Sequence, residues 1–193
     1  VYPIPWDWTE KYGIRKRLWH SASHSFAVNR VCELMGSKRE DLNLICCHLG
    51  GSSSIMAIEK GIGIDGCGGF TLQNGVPQSV RPGDLDPFLV AYLVTQGEGT
   101  VEQVIDKMMT QGGLAAISGM GFDMRDLESA AESGHERAKL AIDSYVHSVR
   151  KYVGSWMAVL GHVDAITMQG GTGEASPYIR KKVLQGLEEY GIV

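Results

Sequence analysis

The segment Leu42-Asn43-Leu44-Ile45-Cys46-Cys47-His48-Leu49-Gly50-Gly51-Ser52-Ser53-Ser54-Ile55-Met56-Ala57-Ile58-Glu59 places two apolar runs of strand length around a Gly/Ser cluster. Its simplest reading is two strands joined by a tight Gly-rich hairpin. Gly61 to Gly63 makes the next turn, and Ile62 and Ile64 suggest a short third strand running into Asp65. Upstream, Phe26, Val28, Val31, Leu34 and Met35 recur at helical spacing over 25–35, with Gly36 as the stop. Downstream, 66–83 is rich in Gly, Pro, Gln and Asn and follows neither period, so it reads as a long loop of the kind that usually carries function.

Helices resume over 87–95, over 101–109 with Thr100 as N-cap, and over 126–132 before Gly134. From Glu136, the residues Ala138, Ala141, Tyr145, Val149, Val153, Trp156, Met157 and Leu160 mark one face of a long helix, the candidate spine of the core. Val163 to Met168 reads as a buried strand that opens into Gly170-Gly171-Thr172-Gly173, and Pro177 sits where a helix through Leu187 begins. Hairpin strands followed by alternating helices and a strand indicate one α/β domain with a mixed sheet over 1–193.

The chain has 193 residues, 44% of them hydrophobic and 21% charged, enough for one full core. Its net charge is -4 with dispersed Lys and Arg, which argues against nucleic acid as partner. No segment approaches the roughly 18 consecutive apolar residues of a membrane span. Cys32, Cys46, Cys47 and Cys67 form no C-x-x-C pair, and Cys46 and Cys47 would face opposite sides of a strand. Buried free thiols in a reducing cytoplasm are the expectation. The absence of an initial methionine and the ending at Glu188 to Val193 make both ends read as cut.

Two Gly-rich turns could bind an anion. Gly50-Gly51-Ser52-Ser53-Ser54 follows a strand, and its amides and hydroxyls could cup a phosphate, although as a lone signal it is weak and an ordinary hairpin turn is the commoner explanation. Gly170-Gly171-Thr172-Gly173-Glu174 lies between a strand and a helix start, where free amides favour a phosphate or ribose. Neither matches G-x-x-x-x-G-K-[ST] or G-x-G-x-x-G, which excludes P-loop and Rossmann readings.

Two such turns in one domain are the device by which the ribonuclease H-like superfamily of actin, hexokinase and Hsp70 holds ATP, and the ordered motifs are more specific still. Tyr12-Gly13-Ile14-Arg15 with Trp19-His20-Ser21-Ala22-Ser23-His24 comes first, then Cys47-His48-Leu49-Gly50 with Ser53-Ser54-Ile55. Arg81-Pro82-Gly83-Asp84-Leu85-Asp86-Pro87, Asp123-Met124-Arg125-Asp126-Leu127-Glu128 and Gly171-Thr172-Gly173-Glu174-Ala175-Ser176-Pro177 follow. In these five motifs, and along nearly its whole length, the chain resembles the acetate kinase family.

The resemblance implies an ATP-dependent phosphotransferase that converts a short-chain carboxylate such as acetate, propionate or butyrate to its acyl phosphate. It implies ATP or ADP and Mg2+ as cofactors and a cytoplasmic homodimer. His20, His48 and Arg81 correspond to catalytic positions, with Arg81 stabilising charge on the transferring group. Gly50, Gly51, Ser52 and Ser53 correspond to the phosphate hairpin, Asp123, Met124 and Arg125 to adenosine contacts, and Gly171, Thr172, Gly173 and Glu174 to the turn beside the nucleotide. Structural readings stand alongside: His20 and His24 as satisfied histidines, Arg81 salt-bridged to Asp84 or Asp86, Asp123 as an N-cap and Arg125 as a solvated side chain.

The family hairpin usually reads His-Leu-Gly-Asn-Gly, whereas Gly51 and Ser52 stand here, and Ala175 replaces the Asn of the late motif. By the resemblance, an N-terminal lobe with the magnesium-binding Asp precedes Val1 and a further carboxylate follows Val193, so no metal ligand is assigned in this chain. The expectation is a nucleotide-binding lobe that is inactive alone. The alternative is a non-catalytic nucleotide-binding or dimerisation module.

Overall fold

The computed structural model describes residues 1–192. Helices α1 (Trp6–Tyr12) and α2 (Ser21–Met35) lead into strands β1 (Leu44–His48), β2 (Ser54–Glu59) and β3 (Ile62–Gly66). Helices α3 (Phe88–Thr95), α4 (Val101–Gln111), α5 (Gly113–Ser118), α6 (Met124–Glu132) and α7 (Glu136–Leu160) follow. Strand β4 (Ala165–Gln169) then leads into α8 (Gly170–Ala175) and α9 (Pro177–Leu184).

The sheet order is β3-β2-β1-β4. β1 pairs antiparallel with β2 and parallel with β4, so His48 and Gln169 end side by side. A bulge between Ala57 and Ile58 interrupts the β2–β3 ladder.

Both faces of β1 are covered, which is why its sequence is continuously apolar rather than alternating. Ile45, Cys47, Ile55 and Ala57 pack on one side against α5, α6, α7 and α9. Leu44, Cys46, Met56 and Ile58 pack on the other against Ala27, Val28 and Val31 of α2. The adjacent cysteines therefore serve separate layers, as strand alternation requires. Burial raises the Cys46 thiol to about 11 and pushes that of Cys47 well above its ordinary value, so both stay protonated small hydrophobes.

Helix α7 is the spine. Ala138, Ala141, Ile142, Tyr145, Val146, Val149, Val153, Trp156 and Leu160 are buried along 25 residues, and Met157 packs partly buried beside them. His135 caps the helix start by accepting from the Ala138 N–H. Thr100 and Gln103 form a reciprocal capping box at α4.

Several details differ from the sequence expectation. Helix α2 begins at Ser21 and turns His24, Ala27, Val28 and Val31 inward; Phe26, Leu34 and Met35 lie on its outer side, with Phe26 71% exposed. The first and last rows are both apolar at helical spacing, so period alone could not choose the buried one. Gly170 to Gly173 forms the start of α8 rather than an open turn, and α1 and α5 are additional helices of seven and six residues. The loop after β3 is irregular but fixed. Val76 and Gln78 are fully buried in it. The backbone N–H groups of Gly112, Leu114 and Ala115 donate to the carbonyls of Val80, Gln78 and Ser79, joining the loop to α5.

Candidate functional site

The two glycine turns meet because β1 and β4 are parallel neighbours. Leu49 joins them: its N–H donates to Gln169 O at 2.8 Å, and its carbonyl accepts from Thr172 N at 2.9 Å and Gly173 N at 3.0 Å. Gly170 allows this approach. Its φ is +80°, and a Cβ there would lie 2.7 Å from Leu49 O. The Thr172 and Gly173 amides, expected from sequence to be free for an anion, are thus spent on Leu49.

A cleft of about 500 Å3 opens beside this junction. Gly50, Gly51, Gly171 and Thr172 form one wall, and Asp123, Met124 and Arg125 the other. Glu128, Ala175 and Ser176, from the same two motifs, and Ser79, Leu114 and Phe122, which carried no motif signal, complete it. Glu128 accepts from Ser176 Oγ, which itself caps α9 by accepting from the Ile179 N–H.

Ser52, Ser53, Gly173 and Glu174 do not line the cleft. Ser53 is buried beneath the hairpin, donating to Gly50 O, accepting from Gly50 N–H and lying 3.1 Å from Tyr145 Oη. Ser52 Oγ donates to Gln78 Oε1 at 3.0 Å. Gly173 packs against Met168, where a Cβ would approach the backbone to 3.2 Å. Glu174 is exposed; burial lowers the His48 pKa below its ordinary value, and the Glu174 charge offsets part of that.

Asp123 is the N-cap of α6, accepting from Arg125 N at 3.0 Å. The Arg125 guanidinium folds back on the same carboxylate, and these hydrogen bonds pull Asp123 down to about 2. The structural reading of this pair therefore holds alongside its place on the cleft wall. For Arg81 it does not. Its Nη1 donates to Gln78 Oε1 at 2.9 Å, whereas Asp84 faces Tyr152, Lys151 and the Gly75 N–H. Among the described residues no carboxylate forms an ion pair with Arg81.

Beside the hairpin, His20 and His48 stack with ring centroids 4.1 Å apart, and His24 meets His48 edge-on at 6.4 Å. His20 sits at φ 54° at the N-cap of α2, a left-handed conformation that costs a non-glycine residue about 1–3 kcal/mol and concentrates at functional sites. Burial, then His48, then Arg81 lower His20 to about 4. Burial and the neighbouring histidines lower His24 to about 4 as well. Both rings are therefore neutral near pH 7.

This has a measurable consequence. As pH falls from 6.5 toward 4, the unfolded chain takes up protons that the folded rings refuse, so folding stability is full above about 6.5 and is lost on acidification through that window. Urea midpoints should fall over this range, and His24→Asn should flatten the slope. A midpoint independent of pH there would show that the rings are not held neutral.

Among the described residues no three His, Cys, Asp or Glu side chains gather where they could hold a metal ion. None of the described helices is long and apolar enough to cross a membrane.

A four-stranded mixed sheet flanked by helices, with two glycine turns joined at one end and a cleft beside them, defines an α/β lobe. The chain fits one family over its length: residues 1–193 match the Acetokinase family, and the chain belongs to it. It is 43% identical over 192 residues to acetate kinase 2 of Listeria monocytogenes serotype 4b (strain F2365), covering 100% of this chain and 48% of that protein. It is 42% identical to acetate kinase of Geobacillus kaustophilus (strain HTA426), again with 48% of that protein covered. The structure of Porphyromonas gingivalis acetate kinase superposes with a TM-score of 0.95 at 33% identity, over 100% of this chain and 48% of that one. A propionate kinase from Francisella tularensis gives 0.92 at 34% identity, over 98% and 48%. The chain spans about half the length of the curated relatives it matches.

Proposed function

We propose that this chain is the nucleotide-binding lobe of an ATP-dependent kinase that phosphorylates a short-chain carboxylate to an acyl phosphate in the cytoplasm. The observation that carries this is the stapling of the two glycine turns at Leu49 beside a cleft that also presents Asp123, Met124 and Arg125. Phosphoryl transfer needs positioning and charge stabilisation more than covalent chemistry from the protein. Gly50 and Gly51 offer close backbone approach to the phosphates. Asp123 accepts from ribose hydroxyls once Arg125 turns to stack on the base. Arg81, free of carboxylates, meets the transferring group as a forked donor, with His20 and His48 beside it. Mg2+ accompanies the nucleotide, and its ligands lie on residues other than these.

Calorimetric titration with Mg-ATP and ADP tests the site. Saturable, weak binding is expected, and Asp123→Ala should weaken it on the order of tenfold or more, the loss of a charged hydrogen bond. Asp123→Asn keeps the helix cap and isolates the carboxylate's share. Absence of binding up to millimolar nucleotide would count against a site carried by this lobe. Without the other half of the active site the chain transfers no phosphate at enzyme-like rates; formation of acyl phosphate by the chain alone would refute that.

A second reading, a dimerisation or nucleotide-binding module without catalysis, draws on helix α3. Phe88-Leu89-Val90-Ala91-Tyr92-Leu93-Val94-Thr95 buries none of its residues, and Phe88 is 79% exposed. An apolar helix of this kind calls for a cover. A second copy of the chain is the proposed one, which fits either reading. Light scattering should give a dimer that Phe88→Glu dissociates, and a strict monomer in the unaltered chain would remove the homodimer.

A further inference from the structure

The histidines beside the hairpin are wired into a chain of hydrogen bonds that reaches a buried amide. Ser54 Oγ lies 2.8 Å from His20 Nδ1 and 2.7 Å from His24 Nε2. On the far side of His24, Nδ1 lies 3.2 Å from Gln169 Nε2. The other end of that carboxamide, Oε1, accepts from Thr167 Oγ1 at 2.7 Å. His24, Ser54 and Gln169 are buried, so water does not interrupt the sequence.

A neutral imidazole has one N–H and one acceptor nitrogen, and a hydroxyl has a single proton. With the Ser54 hydroxyl donating to one ring and accepting from the other, the protons of the chain all point one way or all point the other; the second lone pair of the hydroxyl also admits both rings as donors, with its own proton turned to Trp19 O. With the amide NH2 donating to His24 Nδ1, His24 carries its proton on Nε2 and donates to Ser54 Oγ. The Ser54 hydroxyl then donates to His20 Nδ1, and the His20 proton resides on Nε2. The opposite polarity puts both ring protons on Nδ1 and leaves His20 Nε2 bare. The first arrangement goes with the Thr167 hydroxyl donating to Oε1 and the NH2 facing His24; the flipped amide, donating to Thr167 Oγ1, goes with the second. Donation from Ser54 Oγ to Trp19 O spans 3.3 Å against 2.8 and 2.7 Å to the two rings, so we assign the hydroxyl proton to a ring.

We infer that Gln169 is a positioning residue that fixes the tautomer of His20 through His24 and Ser54, so that His20 presents an N–H rather than a lone pair at the anion-binding hairpin. The value of this at the phosphoryl group rests on the proposed function; the wiring itself does not. Burial keeps both rings uncharged, as the lowered values of His20 and His24 attest, so a neutral donor meets the anion without a proton having to be bound first. A bare Nε2 would repel the same anion. The end of β4 thereby sets the hydrogen-bonding character of a ring at the start of α2.

Long-range 1H–15N correlation of the imidazoles in the 15N-labelled chain reads the tautomers directly. At neutral pH both His20 and His24 should be protonated on Nε2. In Gln169→Glu, measured in mildly alkaline buffer where the rings are uncharged, the carboxylate only accepts, so His24 should move its proton to Nδ1 and His20 should follow. Protonation of His20 on Nδ1 in the unaltered chain, or rings of opposite tautomer, would overturn the wiring. A Gln169→Glu spectrum in which His24 inverts and His20 does not would overturn control through Ser54. Should the variant fail to fold, the unaltered chain alone still decides the polarity. Nucleotide titration of the same samples is a separate readout: absent binding would remove the proposed function and leave the tautomer result standing.

Discussion

Tyr145→Ala is expected to cost about 3–5 kcal/mol of folding stability, the range for truncating a buried aromatic side chain. Domains of this size are stable by only about 5–15 kcal/mol, so urea midpoints should fall by a large fraction. Tyr145 is 1% exposed in the middle of α7 and belongs to the larger core. Its hydroxyl has a second task. It lies 3.1 Å from Ser53 Oγ, and with the Ser53 hydroxyl donating to Gly50 O Tyr145 donates to Ser53. Burial raises its ionisation well above the ordinary phenol range, which keeps that donor protonated. Tyr145→Phe keeps the ring and loses the bond, at about 1 kcal/mol. The difference between the two variants measures the packing of the spine. An alanine variant no less stable than the phenylalanine one would show that α7 is not the element on which the core depends.

Gly113→Ala is the second large effect. The residue has φ +63°, and a Cβ would stand 2.2 Å from Gln78 O and 2.6 Å from Arg81 N. Both are backbone atoms that no rotamer change can move aside. To about 1–3 kcal/mol of strain for the left-handed conformation is added the displacement of the loop that carries Arg81. A total of about 3 kcal/mol or more is expected. Gly134→Ala is the control: its φ is +90° with nothing within 4 Å, so it meets strain alone. Thermal unfolding should separate the two, and limited proteolysis should cut the loop between β3 and α3 faster in the Gly113 variant. Equal costs for both substitutions would mean that the α5 junction does not hold the Arg81 loop.

The parts of the fold legible in the sequence were those whose period or punctuation is unambiguous. Two apolar runs flanking glycines gave the β1–β2 hairpin, and the spacing of Ala138 through Leu160 gave α7. The parallel pairing of β1 with β4 has no local signal, since it is chosen by what covers both faces. Helix α8 was hidden by its glycines, which carry the poorest helix propensity after proline. At the site, the ordered motifs named both turns and the Asp123–Arg125 wall. The spending of the Thr172 and Gly173 amides on Leu49 could not be read, because it depends on two segments meeting. Gln78 and Gln169 escaped for a related reason: a lone polar residue has no periodicity, and only its burial shows that its partners matter.

The junction at Leu49 also bears on how the chain comes into being. Asn43, just before β1, donates its N–H to Asp164, just before β4 and 121 positions further along the chain. During synthesis the first glycine hairpin leaves the ribosome early and must wait for α3 to α7 before the second turn exists to meet it. At about 5–20 residues per second that interval is many seconds, during which the central strand is exposed along the edge that β4 later covers. A nascent chain of this lobe thus has its scaffold hairpin long before it has a site, and acquires the site in one late step.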